Sequence, residues 1–451
     1  MSTVAARLAE WAVGLRPEDV PAPVAHAARR HLLDGLGDAL ASARAGVVDA
    51  AVAVAGGLGG PAESTVLATG ERVSAPAAAL ANGALVHGLD FDDTHAGGLV
   101  HATAVVAPAA LAVGEQVDAD GAALLTAAVV GYETICRVAA ASPHGFHARG
   151  LHATQVAGTL AAAAVAAKLM GLDAATTTQA LGIAGSSSGG LLEFLSTGAS
   201  TKQLHPGSAA MNGILAARLA AAGATGPESV LEGPHGIYAA LSARPADVES
   251  VVEGLGERWE TTRITIKPYP SCQLMHVTLD ALREVLVPAD EVVEVVAQVH
   301  PDSASIVCEP AEVKVAPRTS YDAKFSLPWS VAAMLVDGDV TVATYDLDSV
   351  LRPEVAELSS RVRTVVTSGE GVAADAAGEV EVRLRDGSVR VGRVPRSQGG
   401  PDAPLTDEAL LAKFLANSDG RDDLARAVLA LGTEKSVTAA SLARSVPRSA
   451  A

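Results

Sequence analysis

Residues 20–46 read VPAPVAHAARRHLLDGLGDALASARAG. Apolar side chains recur at three- and four-residue spacing, prolines open the segment and a glycine closes it, the pattern of an amphipathic helix with its start and stop signals. The same period returns around residues 76–88, 102–116, 121–141, 154–170, 174–184, 208–222 and 237–242, with polar, glycine-rich links between. Runs such as LAAAAVAAKLMGL (160–172) and AAVAVAGGLGG (50–60) favour closely packed helices, because alanine is the best helix former and lets helix axes approach. No fixed-period repeat accompanies them, so the expectation is an irregular bundle filling a large all-helical domain over residues 1–263.

Beyond it the character changes. EVVEVVAQVH (291–300), VRTVVTSG (362–369) and GEVEVRLRDGSVRVGRV (378–394) are rich in β-branched residues and alternate with period two, and Asp386-Gly387 between two arms signals a hairpin. Helical patterns return in SLPWSVAAMLVDG and in PLTDEALLAKFLANSDGRDDLARAVLALG. The reading is a mainly α chain: the helical domain, a smaller α+β domain over 264–403, and helices in 404–451 that pack back on the first domain. The tail SVPRSAA is expected to fray.

Of the 451 residues 49% are hydrophobic but only 3% aromatic, so the core must be built from small aliphatic side chains. The 33 basic and 51 acidic residues give a net charge of −18 with no domain-sized basic stripe, which argues against a nucleic-acid partner. An anion site in such a chain must gather its few cations locally. The N-terminal stretch reads as an amphipathic helix rather than a secretion signal, and the apolar runs are interrupted short of a membrane span, so no membrane partner is expected. Cys136, Cys272 and Cys308 are few, odd in number and widely spaced, which suits a reducing cytoplasm and neither a disulfide framework nor a thiolate zinc site.

Against this apolar background HGLDFDDTHAGGLVH (87–101) gathers three aspartates, a threonine and three histidines. The acidic cluster falls at a helix C-terminus, where the dipole disfavours negative charge, so a positive partner or a proton is expected. His101 precedes the next apolar helix, whose free N–H groups could hold a substrate carboxylate. Three readings are open: a solvated helix end, a Zn²⁺, Mn²⁺ or Mg²⁺ site, and a metal-free acid/base site in which carboxylates and imidazoles tune one another. SPHGFHARGLHATQVAG (142–158) adds His152 at a helix start, while His144 and His147 read as ordinary loop histidines. In GSSSGGLLEFLSTGASTKQLHPGSAAMNG (185–213), Ser186–Ser188 form a weak candidate anion cradle and Lys202 is a scarce cation just upstream of His205-Pro206-Gly207. ITIKPYPSCQLMH (264–276) holds two prolines between Lys267 and His276, a rigid extended backbone with a cation at each end, and Cys272 between them.

HGLDFDDTHAGGLVHATAVVAPAALA, GLHATQVAG, STKQLHPGSAAMNGILAARLA, KPYPSCQLMH and AKFSLPWSVAAMLVDG occur in the order and spacing of the MmgE/PrpD family, and the chain resembles that family over roughly residues 5 to 435. Its members include 2-methylcitrate dehydratase, cis-aconitate decarboxylase and iminodisuccinate epimerase. The resemblance implies a large helical domain with an α+β lid, a homodimer, no metal or cofactor, and a small anionic di- or tricarboxylate as substrate. It implies Asp90, Thr94, His101, His152, Lys202 and Lys267 as catalytic residues, with Cys272, His276 and Trp329 binding substrate. Cys272 stands where the animal decarboxylase has a second catalytic histidine, and Trp329 where members often carry a tyrosine. These departures point toward a dehydratase-type lyase, ahead of an epimerase and a decarboxylase; a metal-dependent hydrolase and a silent metabolite binder are the readings from other classes.

Overall fold

A computed structural model describes residues 2–369, 371–434 and 436–446. The expected fraying of the tail falls mainly on residues 447–451, outside those described. The chain is mainly α and divides into two compact units, one of 1–192, 201–264 and 406–451, the other of 193–200 and 265–405.

The first unit is a helical bundle. Its principal helices are α1 (Val4–Gly14), α2 (Ala22–Ala45), α3 (Ala75–His87), α4 (Thr103–Gln116), α5 (Gly121–Ala140), α6 (Ala153–Leu169), α7 (Ala174–Ser186), α8 (Thr201–Ala221) and α9 (Asp407–Ser418). The stop signal of α2 acts as the sequence implies: Gly46 takes a left-handed conformation, φ +66°, that an L side chain resists. The helical region also holds short extended pairings, among them an antiparallel one of Ser64–Thr65 with Arg72–Val73 and a bridge between His95 and Val100.

Small residues set the helix contacts. α6 is buried almost throughout, on alanines, and packs against α5 and α8. At the α3–α8 crossing a methyl on Gly83 would lie 2.6 Å from the Gly207 Cα, and one on Gly207 would collide with the Leu80 carbonyl. Only two facing glycines permit that approach.

Two expectations need correction. The helix expected over 208–222 begins at Thr201, with Pro206 inside it. Pro206 is the sixth residue of this helix, past the first turn where a missing N–H costs nothing, and the helix is carried through it by packing against α3 and α6. α5, with 20 residues, is long and apolar enough to cross a membrane, contrary to the reading of the apolar runs as too short, yet nearly all of it is buried within the protein.

The second unit is α+β. Strands β1 (Val292–Val299), β2 (Val362–Val366), β3 (Gly378–Leu384) and β4 (Val389–Val394) form one sheet in the order β2-β1-β3-β4, with β1 and β2 parallel and the other pairs antiparallel. The Asp386-Gly387 hairpin joins β3 to β4, Gly387 at φ +85° and the Asp386 carboxylate accepting from the Ser388 N–H at 2.8 Å. Its helices include α10 (His276–Arg283) and α11 (Leu327–Asp337), with shorter ones such as Pro301–Val307 and Pro353–Ser359.

Candidate active site

The site grows from the C-terminus of α3. His87 is its last residue, and Asp90 then adopts φ +54°, a left-handed conformation that aspartate tolerates better than most side chains. The Asp90 N–H donates back to the His87 carbonyl (3.0 Å), while Gln203 of α8 donates to the Gly88 carbonyl (2.6 Å). This turn gives each aspartate of the DFDD run its own partner. Asp90 accepts from the Lys202 ammonium at 2.7 Å. Asp92 faces the His87 Nδ1 with both oxygens, at 2.9 and 2.8 Å. Asp93 accepts from the Thr103 N–H at 3.0 Å and from the Thr103 hydroxyl, and so caps α4.

Two N–H groups at the start of α4, expected to be free for a substrate carboxylate, are taken within the protein: Asp93 accepts from Thr103, and Thr154 Oγ1 accepts from His101 at 3.0 Å. The Ser186–Ser188 run is not a cradle for anions either. The Ser187 and Ser188 hydroxyls donate to helix carbonyls, those of Ala184 and Val156, and so close the end of α7.

Hydrogen bonding fixes the imidazole tautomers. His101 Nδ1 lies 2.9 Å from the Asp93 carbonyl, an acceptor, so Nδ1 carries the proton. The Thr94 hydroxyl is 3.3 Å from the same nitrogen, and Nε2 faces the Lys202 Nζ at 3.4 Å. By the same reasoning His87 donates from Nδ1 to Asp92, which leaves a lone pair on Nε2; that buried atom has no hydrogen-bond partner among the described residues. His152 and His205 meet through their Nδ1 atoms at 3.1 Å. Ring centroids lie 4.6 Å apart for His87–His101, 5.9 Å for His87–His152 and 5.7 Å for His101–His152.

Burial sets the protonation. It pushes His87 below its ordinary value although the Asp92 carboxylate opposes the shift. Burial pushes His152 well below, helped by His205, Lys202 and His87, and pushes His205 down to about 4. Burial therefore favours the neutral imidazole at His87, His152 and His205. His147, read as an ordinary loop histidine, is also driven down by burial, to about 3, and its ring lies 6.1 Å from that of His152.

Of the sequence candidates, Asp90, Thr94, His101, His152 and Lys202 come together in the first unit. Lys267, Cys272, His276 and Trp329 belong to the second. There Lys267 and Trp329 are fully buried, and the Cys272 N–H donates to the Lys324 carbonyl (2.9 Å). His276 opens α10, with Nε2 donating to the Ser271 carbonyl at 3.1 Å. Residue patterns alone missed His87, Asp92 and His205. His205 had a signal: three positions after Lys202 on one helix, it shares that face, but a helix expected only from residue 208 left both outside it. The His87–Asp92 pairing had none, since it depends on the left-handed turn at Asp90.

The description "MmgE/PrpD N-terminal domain" matches residues 6–249 and "MmgE/PrpD C-terminal domain" matches residues 269–431. The chain belongs to the MmgE/PrpD family. Among its relatives in that family, the cis-aconitate decarboxylase of Aspergillus terreus (strain NIH 2624 / FGSC A1156) is 29% identical over 441 residues, 92% of this chain and 89% of the relative. The cis-aconitate decarboxylase-like protein oryM of Aspergillus oryzae is 27% identical over 96% of each chain. The cis-aconitate decarboxylase of Homo sapiens is 30% identical over 76% of this chain and 72% of its own.

Proposed function

We propose that this MmgE/PrpD protein is a cofactor-independent lyase that eliminates water from a small di- or tricarboxylate, in the manner of a 2-methylcitrate dehydratase. The observation that carries the reading is the buried His87–Asp92 pair: a neutral imidazole oriented through Nδ1, with a lone pair left on Nε2. Abstraction of a proton from carbon needs such an unprotonated, fixed base. In the elimination an imidazole of the cluster takes the proton from the carbon beside a carboxylate. The C–H electron pair becomes the double bond, and the hydroxyl leaves as water with a proton from the Lys202–His101 side.

Negative charge grows on the flanking carboxylate in the transition state, and a fixed ammonium there stabilises it. Lys202, held by Asp90, supplies that charge in the first unit; Lys267 is assigned the same role on its place in the motif. Thr94 keeps the His101 ring in position. Cys272, His276 and Trp329 are assigned to substrate selection on motif resemblance.

Decarboxylation of a cis-aconitate-like acid is the second reading, favoured by the names of the relatives. It differs in its demand on the protein, since loss of CO₂ ends with a proton delivered to carbon, which calls for an acid.

Proton NMR of the chelator-treated protein in D₂O, with 2-methylcitrate, citrate, cis-aconitate and iminodisuccinate, separates these chemistries. New alkene signals with no CO₂ are expected. CO₂ release would establish the decarboxylase instead, and deuterium entering without elimination an epimerase. Silence throughout would remove the lyase reading.

A further inference from the structure

The three imidazoles at the centre of the site also have the arrangement of a metal-ligand set. One ligand atom each from His87, His101 and His152 lies within 4.8 Å of the other two. Around a tetrahedral zinc ion such nitrogens stand about 3.3 Å apart, so ring rotation and a small inward movement complete the coordination. The surroundings of two of the rings already have the form found around metal-bound histidines, in which the outer nitrogen donates to a carboxylate or a carbonyl and the inner one keeps its lone pair. His87 donates to Asp92 and His101 to the Asp93 carbonyl (2.9 Å). The Nε2 of His87 is a buried polar atom with no partner among the described residues, which a ligand would satisfy. Oxygens of Asp90 and Asp92 fall within the same 4.8 Å of His87 and His101, so a dication would sit beside two carboxylates.

We propose that His87, His101 and His152 bind one first-row divalent ion of the Zn²⁺ class, and that the ion competes with the Lys202 ammonium and switches the site off. Competition follows from the geometry. His101 Nδ1 is committed to the Asp93 carbonyl, so its lone pair is on Nε2, and Lys202 Nζ lies 3.4 Å from that atom. One lone pair serves the ammonium or the metal, not both. Occupancy would also take the His87 Nε2 lone pair, which the proposed lyase reaction uses as its base. The switching half rests on that proposed reaction; the binding half does not.

The test uses the full-length, chelator-treated protein titrated with Zn²⁺ by calorimetry and with Co²⁺ by visible absorption, in the wild type, His87→Asn, Asp92→Asn and Lys202→Met. One equivalent should bind with the intense visible bands of four-coordinate cobalt. Asp92→Asn should weaken it by about 10–100-fold, the scale for losing the carboxylate behind a metal-bound histidine, and His87→Asn by more than about 100-fold. Lys202→Met should bind about tenfold more tightly, an effect a merely structural cluster would not produce. It also keeps the test decisive where His87→Asn fails to fold. Absence of saturable one-to-one binding, binding undiminished in His87→Asn, or weaker binding in Lys202→Met would overturn the site. With substrate, the metal-free wild type should turn over and Zn²⁺ should inhibit it; turnover that required the metal would overturn the switch. Binding as predicted with no turnover under any condition would leave the metal site standing and remove the lyase reading and the switch with it.

Discussion

Asp92 and His87 act as one device, and the contact that matters is a single nitrogen. Asp92→Asn keeps the shape but offers an amide N–H or one weaker acceptor to the His87 Nδ1, so the tautomer with a lone pair on Nε2 is no longer enforced. A drop in kcat of about 10²–10⁴-fold is expected, with little change in melting temperature. His87→Asn should fall as far, and the double variant no further than the worse single one, because the two residues work as a unit. Steady-state kinetics of the three variants check this; additive losses would separate the residues. At this scale the sequence displayed the ingredients, aspartates and histidines in one fifteen-residue stretch. It did not show that the three aspartates of DFDD part company, one to an ammonium, one to an imidazole and one to a helix start.

The element that assembles the site is α8, and its position depends on the absence of a methyl group at Gly207. Gly207→Ala would drive Cβ into the Leu80 carbonyl of α3, a backbone atom that has no rotamer to change. Overpacking of this kind costs about 1–3 kcal/mol. Lys202 and Gln203 ride on the same helix one turn away, so kcat should fall further than the loss of stability explains. Thermal melts and kinetics of Gly207→Ala, with Gly189→Ala as a control where a Cβ meets nothing within 4 Å, test the assignment. If Gly207→Ala melted and turned over like the control, the glycine contact would not be what sets α8. The helical period marked where most helices lie, because burying one face of a helix forces that period. It did not mark the first turn of α8, because Pro206 looks locally like a stop.

Across the whole first unit, the C-terminal segment reaches back to support the site. Lys413 of α9 donates to the Phe91 carbonyl at 2.9 Å, inside the DFDD turn, and pairs with Asp34 of α2 at 2.7 Å. Burial raises Asp34 to about 6 even with Lys413 pulling it down. Lys413→Met would leave that carboxylate buried without its cation, a loss on the order of 3–5 kcal/mol, and Asp34→Asn in the same chain should recover part of it. The melting temperatures of the single and double variants report the difference. The buried imidazoles act on the same scale. His31 and His205 are held down to about 4 and His147 to about 3, with His87 and His152 also lowered, all chiefly by burial. The unfolded chain protonates them near pH 6.5, so between about pH 6.5 and 4 it binds protons that the folded chain refuses, and stability falls as pH falls through that window. Asp34 opposes this, since its raised pKa favours the folded state as pH drops below about 6, and Asp280, also raised by burial, acts in the same sense. Five imidazoles outweigh two carboxyls, so the melting temperature should fall between pH 7 and 5. A melting temperature that held or rose there would mean these rings are not buried neutral.

What the sequence determined was what local chemistry determines: helices from period and alanine content, the Asp386-Gly387 hairpin from a turn that needs positive φ, and a resemblance carried by five ordered motifs. Composition directed the search to a local cation, and Lys202 stands beside the imidazole of His101, with His152 and His205 in ring contact nearby. The tertiary structure alone decided which groups face one another. Residues 193–200 join the second unit although both neighbouring segments lie in the first, and no local pattern announces it. His87 and Asp92 meet because the chain turns left-handed between them, and Lys202 meets Asp90, 112 positions away in sequence, because two glycines let two helices touch. Spacing along a chain reports neighbours within an element. Partners brought together by packing leave no periodic trace, because the residues that allow the contact are not the residues that use it.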